Sequence, residues 1–476
     1  MEEMPFNYYE QYQKLFDYSN SDEFKKSPGD KLKEDIEQLK ENMRKSGYTE
    51  EEITIVTDIT PLEIAQATKI LVDVAKFPSA KEKTKPIEKA DVPTFYQVAG
   101  QPGCGKSAAI TAIEESAKGK PYISEMDVYR TKHPRISKIK EMIAKRYPED
   151  REKQGKDFVA MTSLFADMLE LSITGYMISQ GYSVIKETTG KNSKSLCGMI
   201  EALKAQIPEM KATIACMAVS QEVSIDGTIS RGQMMNRLTK FFVEDLNAMN
   251  IEEKPVGRGN VPRTFSESIC RQIPSSMKRV AESGLIDGEF IIVKRGKNDN
   301  IISRMNSEEC MQNADVIMET LEDRITGNLS KEETKRHFEK KVKDREKAID
   351  AAKKGSMDPS TDLYVYPTKT WLKETDGALE FYRKKSGLDD IDKVAEWLVK
   401  ERFLEKIVAD EQKVEIPENS KHFDEENQKV INKLNEVTEE LKHAIVESAR
   451  RREEMTSGVQ RLWQNMNLIK KILIRL

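Results

Sequence analysis

The sequence predicts an α/β fold in which a parallel sheet carries helices on both faces, with helical regions before and after it. Between residues 91 and 330, short apolar runs alternate with helical patterns, which is typical of strand–helix–strand units. Residues 1–90 and 331–476 are instead polar, charged and helix-prone. We therefore divide the chain into a helical N-terminal region (1–90), an α/β domain (91–330) and a helical C-terminal region (331–476).

Short apolar runs define the predicted strands. The four clear candidates are Thr94–Ala99, Ser183–Lys186, Thr213–Val219 and Phe290–Val293. A weaker candidate lies around Tyr122 and Ile123. Strands of a parallel sheet are buried on both faces and so read as short, nearly continuous apolar runs. The helical patterns between them predict that helices cover the sheet on both sides.

The N-terminal region carries two helix signals. Apolar residues recur at helical spacing across 30–44. Thr60 followed by Pro61 and Glu63 is typical of a helix start, with a hydroxyl cap, proline in the first turn and an early acid. A charged stretch between two prolines, Pro78–Pro86, is predicted to link this region to the α/β domain.

The last helix of the C-terminal region carries an apolar seam in steps of four and three residues. Its members are Val430, Leu434, Val437, Leu441 and Ala444, then Met455, Val459, Leu462, Met466, Ile469, Leu473 and Leu476. Such a seam either packs on the chain's own core or pairs with a second copy as a coiled coil. Self-association through this helix is therefore one of two open interpretations.

Composition narrows the classes of function. The 476 residues carry a net charge of −4, which does not indicate nucleic-acid binding. Five cysteines without metal-ligand spacing are typical of reduced thiols. The acidic N-terminus does not resemble a signal peptide, and no apolar run suggests a membrane span. We expect a cytoplasmic protein without nucleic-acid or membrane partners, although an effector exported without a cleaved signal would look the same.

The strongest motif is the segment Gly100–Ser107, GQPGCGKS, which fits the phosphate-binding G-x-x-x-x-G-K-[ST] pattern. It lies between a predicted strand and a predicted helix, as a P-loop requires. Its glycines let backbone N–H groups face an anion, and the helix adds its positive end. We expect Lys106 to reach the β- and γ-phosphates of ATP and Ser107 to hold Mg²⁺. The predicted ATP-binding residues are Gly100, Gln101, Pro102, Gly103, Cys104, Gly105, Lys106 and Ser107.

Acidic and hydroxyl side chains follow two other strands. Asp127 comes 21 residues after Lys106, where it either accepts a proton from a substrate hydroxyl or caps a helix. Glu187 follows the Ser183–Lys186 run and either binds a magnesium water or belongs to an ordinary turn. Thr188 and Thr189 would then face a polar substrate. In a doubly wound sheet such strand ends meet in one crevice.

Two arginines complete the candidate set. Arg231 and Arg258 follow the Thr213–Val219 run. Phosphoryl transfer needs cations over the migrating group, and a guanidinium matches phosphate oxygens in pairs. Most arginines are solvated surface charges, so either one alone is weak evidence.

Together these segments resemble the zeta-toxin family of P-loop kinases over about Val92–Gly296. The shared motifs are GQPGCGKS, the D-x-[YF]-[RK]-x-x-H-P segment at Asp127–Pro134, and the Q-G-Y-x-x-x-x-E-x-T segment at Gln180–Thr189. The resemblance implies ATP-dependent phosphorylation of the amino sugar of UDP-N-acetylglucosamine. It implies that Asp127 is the general base and that Thr189 contacts the sugar nucleotide. It further implies that Arg231 and Arg258 clamp phosphates.

The chain departs from the family pattern on the acceptor side. Where the family usually has a Glu in the helix before Q-G-Y, this chain has Leu171 with Glu170 beside it. Lys186 replaces an apolar residue, and Thr188 replaces a common Gly. Some zeta-like effectors phosphorylate other nucleotides, including NAD, so the alternative acceptor stays open. A nucleotide-binding regulator without catalysis is a third interpretation, and it would need no base at Asp127.

The family also implies an inhibitor. Zeta toxins are normally held by a small helical antitoxin that blocks the ATP site. Residues 1–90 have about that size and are predicted helical, so they either form an inhibitory domain in cis or only pack on the kinase. An inhibitor in trans is the other possibility.

Overall fold

In this computed structural model the described part of the chain falls into two compact units, Met1–Ile229 with Val256–Ser330 and Ser230–Pro255 with Lys331–Leu476. The residues that the structure describes are 28–77, 85–117, 119–148, 150–242, 245, 261, 263–296, 300–327, 329–354, 361–375, 377–411, 413–414 and 424–473. The predicted linker Pro78–Pro86 lies largely outside them.

The first unit is built on a six-stranded sheet in the order β2-β3-β1-β4-β5-β6. Its strands are β1 (Thr94–Ala99), β2 (Tyr122–Ser124), β3 (Val184–Thr188), β4 (Lys211–Met217), β5 (Phe290–Val293) and β6 (Ile301–Met305). The first five strands pair in parallel. The predicted parallel sheet is therefore confirmed for them. Strand β6, which we did not predict, pairs antiparallel with β5 at the edge.

Helices cover both faces of this sheet. The helices that begin in this unit are α1 (Pro28–Lys45), α2 (Glu50–Thr57), α3 (Pro61–Lys76), α4 (Lys106–Ser116), α5 (Met126–Arg130), α6 (Ile136–Arg146), α7 (Arg151–Ser179), α8 (Ser193–Gln206), α9 (Gln221–Phe241), α10 (Arg263–Glu282), α11 (Ser307–Gln312) and α12 (Ala314–Thr326). Helix α9 crosses from the first unit into the second.

The two faces of the sheet have separate apolar cores. Phe95, Ala99 and Val184 lie in the larger core, which includes residues of α7, α8 and α10. Val98 and Ile185 lie in the smaller core with residues of α4. Because side chains alternate along a strand, Glu187 points to the α4 face and Lys186 to the α7 face. Neighbouring residues of β3 therefore lie on opposite faces of the sheet.

The N-terminal helices share buried contacts with α6 and α7. Thr60 caps α3 in a capping box with Glu63 and with Pro61 in the first turn, which confirms the predicted helix start. Thr68 of α3 donates a buried hydrogen bond of 2.9 Å to Ser172 of α7. The hydroxyl of Tyr48 donates to Asp157 of α7 at 2.6 Å. The described N-terminal helices thus belong to the first unit's core.

Helix α7 is 29 residues long and largely apolar. Within the part of the chain that the structure describes, its segment Lys153–Ser179 is the one helix long and apolar enough to cross a membrane, but 61% of that apolar window is buried inside the fold. Phe165, Leu169 and Ile173 of α7 are fully buried in the larger core. Burial against its own chain accounts for this composition.

The second unit is helical. After the C-terminal part of α9 it contains α13 (Leu329–Lys353), a π-helical turn (Thr361–Val365), α14 (Tyr366–Glu374), α15 (Ala378–Ser386), α16 (Ile391–Trp397), a second π-helical segment (Leu398–Phe403), α17 (Leu404–Ala409) and α18 (Glu425–Leu473). Leu434, Val437 and Leu441 of the predicted seam are buried in this unit's own core. This half of the seam therefore packs within the chain, and the side chains beyond residue 456 are not described.

Candidate active site

The P-loop occupies the turn between β1 and α4. Its first residue, Gly100, donates its backbone N–H to the carbonyl of Thr188 at 3.1 Å, which joins the loop to the end of β3. Lys106 opens α4 and donates from Nζ to the Gly100 carbonyl at 3.1 Å. The ammonium is thus held against the loop, at the positive end of a helix. This arrangement is an anion-binding cradle.

Two glycines give the cradle its shape. Gly103 and Gly105 have φ values of +78° and +90°, a region that side chains with a Cβ rarely adopt. A Cβ on Gly103 would lie 2.1 Å from the carbonyl oxygen of Ser224 and 2.5 Å from Oγ1 of Thr228. The loop therefore packs directly on α9, and no side chain fits at this position.

Buried polar contacts hold the loop from below. Gln101 is fully buried and donates from Nε2 to the Val219 carbonyl at 2.7 Å and to Ser224 Oγ at 2.9 Å. Cys104 is also fully buried, and burial raises the pKa of its thiol. All five cysteines are free. Cys104 is therefore a packed, protonated side chain of the loop that offers no nucleophile.

The residues predicted to hold Mg²⁺ flank the cradle. Ser107 lies in the first turn of α4 and is exposed, and Glu187 lies on β3, paired with Val98 of β1 and on the α4 face. Among the described residues no three His, Cys, Asp or Glu side chains form a metal-binding group. Magnesium in phosphotransfer sites takes one or two protein oxygens and completes its shell with phosphates and water. One hydroxyl and one carboxylate fit that requirement.

Asp127 lies at the same edge of the sheet, on the short helix α5 directly after β2. Its carboxylate accepts a 2.7 Å bond from Arg130 and is 54% exposed. Glu125, not Asp127, occupies the N-cap position of α5. β2 and β1 are separated by β3 alone, so strand spacing puts their ends about 10 Å apart. An exposed carboxylate at the end of a strand two places from the P-loop strand leaves room for an acceptor hydroxyl between them.

Below Asp127 lies a buried polar network that the sequence analysis did not predict. Lys186 of β3 donates to Glu170 of α7 at 2.5 Å. Ser124, the last residue of β2, donates to the other carboxylate oxygen at 3.0 Å and accepts from the hydroxyl of Tyr129 at 3.1 Å. The hydroxyl of Tyr122 lies 3.1 Å from that of Tyr129. Lys186, which looked out of place in an apolar strand, thus has a buried carboxylate as its partner.

His133, which belongs to the same motif as Asp127, is buried against Phe165 of α7. Its ring is 1% exposed, and its Nδ1 accepts the backbone N–H of Arg135 at 3.1 Å. Burial, helped by the charge of Arg135, lowers the pKa of His133 to about 4. The Arg135 guanidinium pairs with Glu63 of α3 at 2.9 Å. The H-P part of the predicted motif is therefore a neutral structural histidine at the junction with the N-terminal helices.

The structure describes the predicted arginines only in part. Arg231 lies on α9, but its side chain is not described, and Arg258 lies outside the described residues. Arg263, near Arg258 in the sequence, pairs with the buried Glu222 at 2.7 Å and with Glu267 at 2.9 Å. Those two pairs tie the starts of α9 and α10 together. The clamp roles of Arg231 and Arg258 stay predictions.

Arg295 is a cation at this site that the sequence analysis missed. It follows β5 by two residues and is exposed. Its Cγ and Nε lie 3.6 Å from the point that a Cβ on Gly105 would occupy. Its charge also acts on the Cys104 thiol in the loop. The available signal was its place after a strand, because strand ends gather at one edge of a parallel sheet.

Part of the chain is similar to known proteins of one family. The sequence model of the zeta-toxin family, described as "Zeta toxin", matches residues 78–308. Toxin zeta of Streptococcus agalactiae is 23% identical over 193 residues, which cover 40% of this chain and 58% of that protein. Toxin zeta of Streptococcus pyogenes gives the same figures. The chain thus spans 58% of the length of these relatives.

Solved structures are similar to the chain over a wider stretch. One, from the PezAT chromosomal toxin–antitoxin system of Streptococcus pneumoniae, has a TM-score of 0.43 at 18% identity and covers 58% of this chain and 94% of its own. Another, AvrRxo1-ORF1 with AvrRxo1-ORF2 and ATP, has a TM-score of 0.33 at 14% identity and covers 58% and 74%.

Sheet order, P-loop and strand-end carboxylates define the first unit as a P-loop α/β protein of the kinase type. The family match is more particular. Residues 78–308 match the zeta-toxin family model, so the resemblance inferred from the motifs is confirmed.

Proposed function

We propose that this protein is an ATP-dependent kinase that phosphorylates a hydroxyl of a nucleotide acceptor, and that UDP-N-acetylglucosamine is its first candidate acceptor. The observation that carries the proposal is that one edge of the sheet holds both the P-loop and Asp127. β3 between them brings Glu187, Thr188 and the adjoining Thr189 to the same edge. A cradle for phosphate, an acidic metal ligand and a base are the parts that phosphoryl transfer needs.

The mechanism follows from where each side chain lies. Backbone N–H groups of the loop and Lys106 hold the β- and γ-phosphates of ATP, and Arg295 adds a second cation beside Gly105. Ser107 and Glu187 would hold Mg²⁺, which neutralises phosphate charge when bound. Asp127 takes the proton of the acceptor hydroxyl as that oxygen attacks the γ-phosphorus. The leaving group is ADP, and the product is a phosphate monoester of the acceptor.

The base at Asp127 separates this proposal from a nucleotide-binding regulator. Asp127→Asn keeps the shape and the contact with Arg130 but cannot take up a proton. We expect kcat to fall about 10²–10⁴-fold while the Kd for ATP stays unchanged. Glu115→Gln, an exposed change on α4, is the matched control. A loss of only a few-fold would refute the role of Asp127 as the base and leave it as a partner of Arg130, whereas a wild-type protein that binds ATP but transfers no phosphate would favour the regulator.

The acceptor is identified by incubating the protein with labelled ATP and a panel of sugar nucleotides together with NAD. The leading proposal would be supported if the wild-type protein transfers phosphate to UDP-N-acetylglucosamine and Asp127→Asn binds ATP without transferring it. Transfer to NAD would assign the alternative acceptor. ATP binding without transfer to any member of the panel would refute both acceptors.

The proposed inhibitor in cis has its own test, because residues 28–77 share buried contacts with α6 and α7. ATP turnover of the full chain is compared with that of a chain that begins at Ala90. Higher turnover in the shorter chain would support restraint by residues 1–90, and equal turnover with both forms folded would refute it. We expect the shorter chain to be less stable in either case, since it lacks Ile64, Ala67 and Val72, and the apolar residues that pack on them in the larger core become exposed.

A further inference from the structure

The buried network next to Asp127 consists of five side chains from four elements. Tyr122, Ser124 and Tyr129 belong to β2 and α5, Glu170 to α7 and Lys186 to β3. Glu170 is 4% exposed, Ser124 and Tyr129 are 1% exposed, and the Lys186 side chain is 18% exposed. The network therefore lies inside the fold, with Lys186 at its more open end.

The hydrogen bonds of the network have one consistent direction. Tyr129 donates to Ser124, and Ser124 donates to Oε1 of Glu170. Since a hydroxyl has a single proton to donate, Tyr122 then donates to Tyr129. Lys186 donates to Oε2 of the same carboxylate. The chain of hydroxyls thus ends on the carboxylate of Glu170, which also forms an ion pair with Lys186.

A buried ion pair of this kind adds little stability over apolar side chains of the same size. It does fix geometry, because each hydroxyl in the network donates to one defined acceptor. Here it joins α5, which bears Asp127 two residues before Tyr129, to the strand that bears Glu187 one residue after Lys186. Ser124 and Lys186 are also paired in register across β2 and β3.

We propose that Glu170 and Lys186 are positioning residues, which hold helix α5 so that Asp127 faces the acceptor side of the crevice. The pair acts through Ser124 and Tyr129 and itself touches no reacting atom. This inference rests on the proposed function for the role of Asp127, but the placement of α5 can be measured without any assay of transfer.

The test uses the double variant Glu170→Met/Lys186→Met, which removes both charges at nearly constant volume and leaves no unpaired ion. Amide hydrogen exchange is measured on peptides covering Met126–Arg130 and Lys106–Ser116 in the full chain. We expect exchange in the first peptide to become at least about tenfold faster while the second stays unchanged. Lys204→Met/Asp287→Asn, which removes an ion pair between α8 and the loop before β5, is the matched control.

Activity gives a second measurement. In the double variant we expect kcat to fall at least about tenfold with the KM for ATP unchanged, and Lys186→Arg to keep most of the wild-type kcat. Unchanged exchange over Met126–Arg130 in a folded double variant would overturn the positioning role, whether or not the protein is a kinase. Loss of transfer in Asp127→Asn decides the proposed function separately. Should the double variant fail to fold, Glu170→Gln is measured in the same way, with the same outcome required.

Discussion

The nucleotide side and the acceptor side of the crevice are built from different parts of the chain. The nucleotide side is one continuous segment, Gly100–Ser107, whose form depends on backbone N–H groups and two left-handed glycines. The acceptor side depends on side chains that come from β2, α5, α7 and β3. The comparison teaches that a main-chain site leaves a short sequence signature, whereas a side-chain site leaves scattered residues that only the fold assembles.

The largest effect is expected where the nucleotide side depends on a single charge. Lys106→Ala removes the one side-chain cation of the loop, and we expect phosphoryl transfer to fall at least about 10²–10³-fold. Its melting temperature should stay close to wild type because the ammonium contacts only the Gly100 carbonyl. Turnover of labelled ATP measures the effect. Lys138→Ala, an exposed change on α6, is the control, and wild-type turnover in Lys106→Ala would refute the role of the loop.

The free energy of unfolding should fall in acid, because the motif that contains Asp127 also contains a buried neutral histidine, His133. The pKa of His133 is lowered to about 4, whereas an unfolded histidine titrates near ~6.5. The unfolded chain therefore binds the extra proton first, and the free energy of unfolding falls as pH drops from about 6.5 towards about 4. For His133 alone this amounts to about 2–3 kcal/mol between pH 7 and about pH 4.5.

Chemical denaturation of wild type and His133→Asn at several pH values measures this contribution. Asn keeps a side-chain acceptor for the N–H of Arg135 but does not titrate, so the two stability curves should converge towards low pH. Arg135 and Glu63, the charged groups near the ring, are unchanged in both proteins. Parallel curves would show that His133 titrates alike in the folded and unfolded chains.

At Gly103 of the P-loop, the lack of room for a Cβ should matter more than the left-handed backbone conformation. Gly103→Ala places a Cβ within 2.1 Å of the Ser224 carbonyl, so the loop has to move away from α9. We expect the Kd for ATP, measured by calorimetry, to rise about tenfold or more, since a displaced loop loses backbone N–H contacts with the phosphates. A tenfold rise in Kd corresponds to a loss of about 1.4 kcal/mol of binding free energy. The melting temperature should also fall.

Gly284→Ala is the matched control for that change. Gly284 has a similar φ of +69°, and the nearest atom to its added Cβ is the Met311 sulfur at 3.5 Å. It should cost only the left-handed conformation, about 1–2 kcal/mol of stability, with ATP binding unchanged. Equal effects of the two variants on ATP binding would refute the idea that the cradle needs the space.

The smallest effect is expected from the exposed cation beside the loop. Arg295→Ala should raise the KM for ATP roughly three- to tenfold and leave kcat nearly unchanged, because solvent screens an exposed charge. Steady-state kinetics at two salt concentrations measure it, and the effect should shrink at high salt. Arg304→Ala on β6, which removes the ion-pair partner of Glu289, is the control. An unchanged KM would remove Arg295 from the nucleotide side.

The sequence alone determined the P-loop, the order of the first five strands along the chain and the resemblance to the zeta-toxin family, because each is encoded in short local segments. β1 and β5 have the predicted bounds, since short apolar runs between turns have few alternatives. β6 escaped prediction because Ile301–Met305 is a partly exposed edge strand without a continuous apolar pattern. The seam in α18 showed where the helix is apolar, but only the tertiary structure showed that Leu434 and Leu441 face their own unit's core.

The tertiary structure decided what the polar residues of the first unit do. Lys186 and Glu170 are 16 residues apart, and no spacing rule joins a strand residue to a helix residue at that distance. Their pairing follows from the packing of α7 on one face of the sheet, which also places Ser124 and Tyr129 within reach. Arg295 comes to the P-loop because β5 ends at the same edge as β1. Backbone-encoded features are local and so can be read in sequence, whereas burial and side-chain partnership exist only once the sheet and helices have packed.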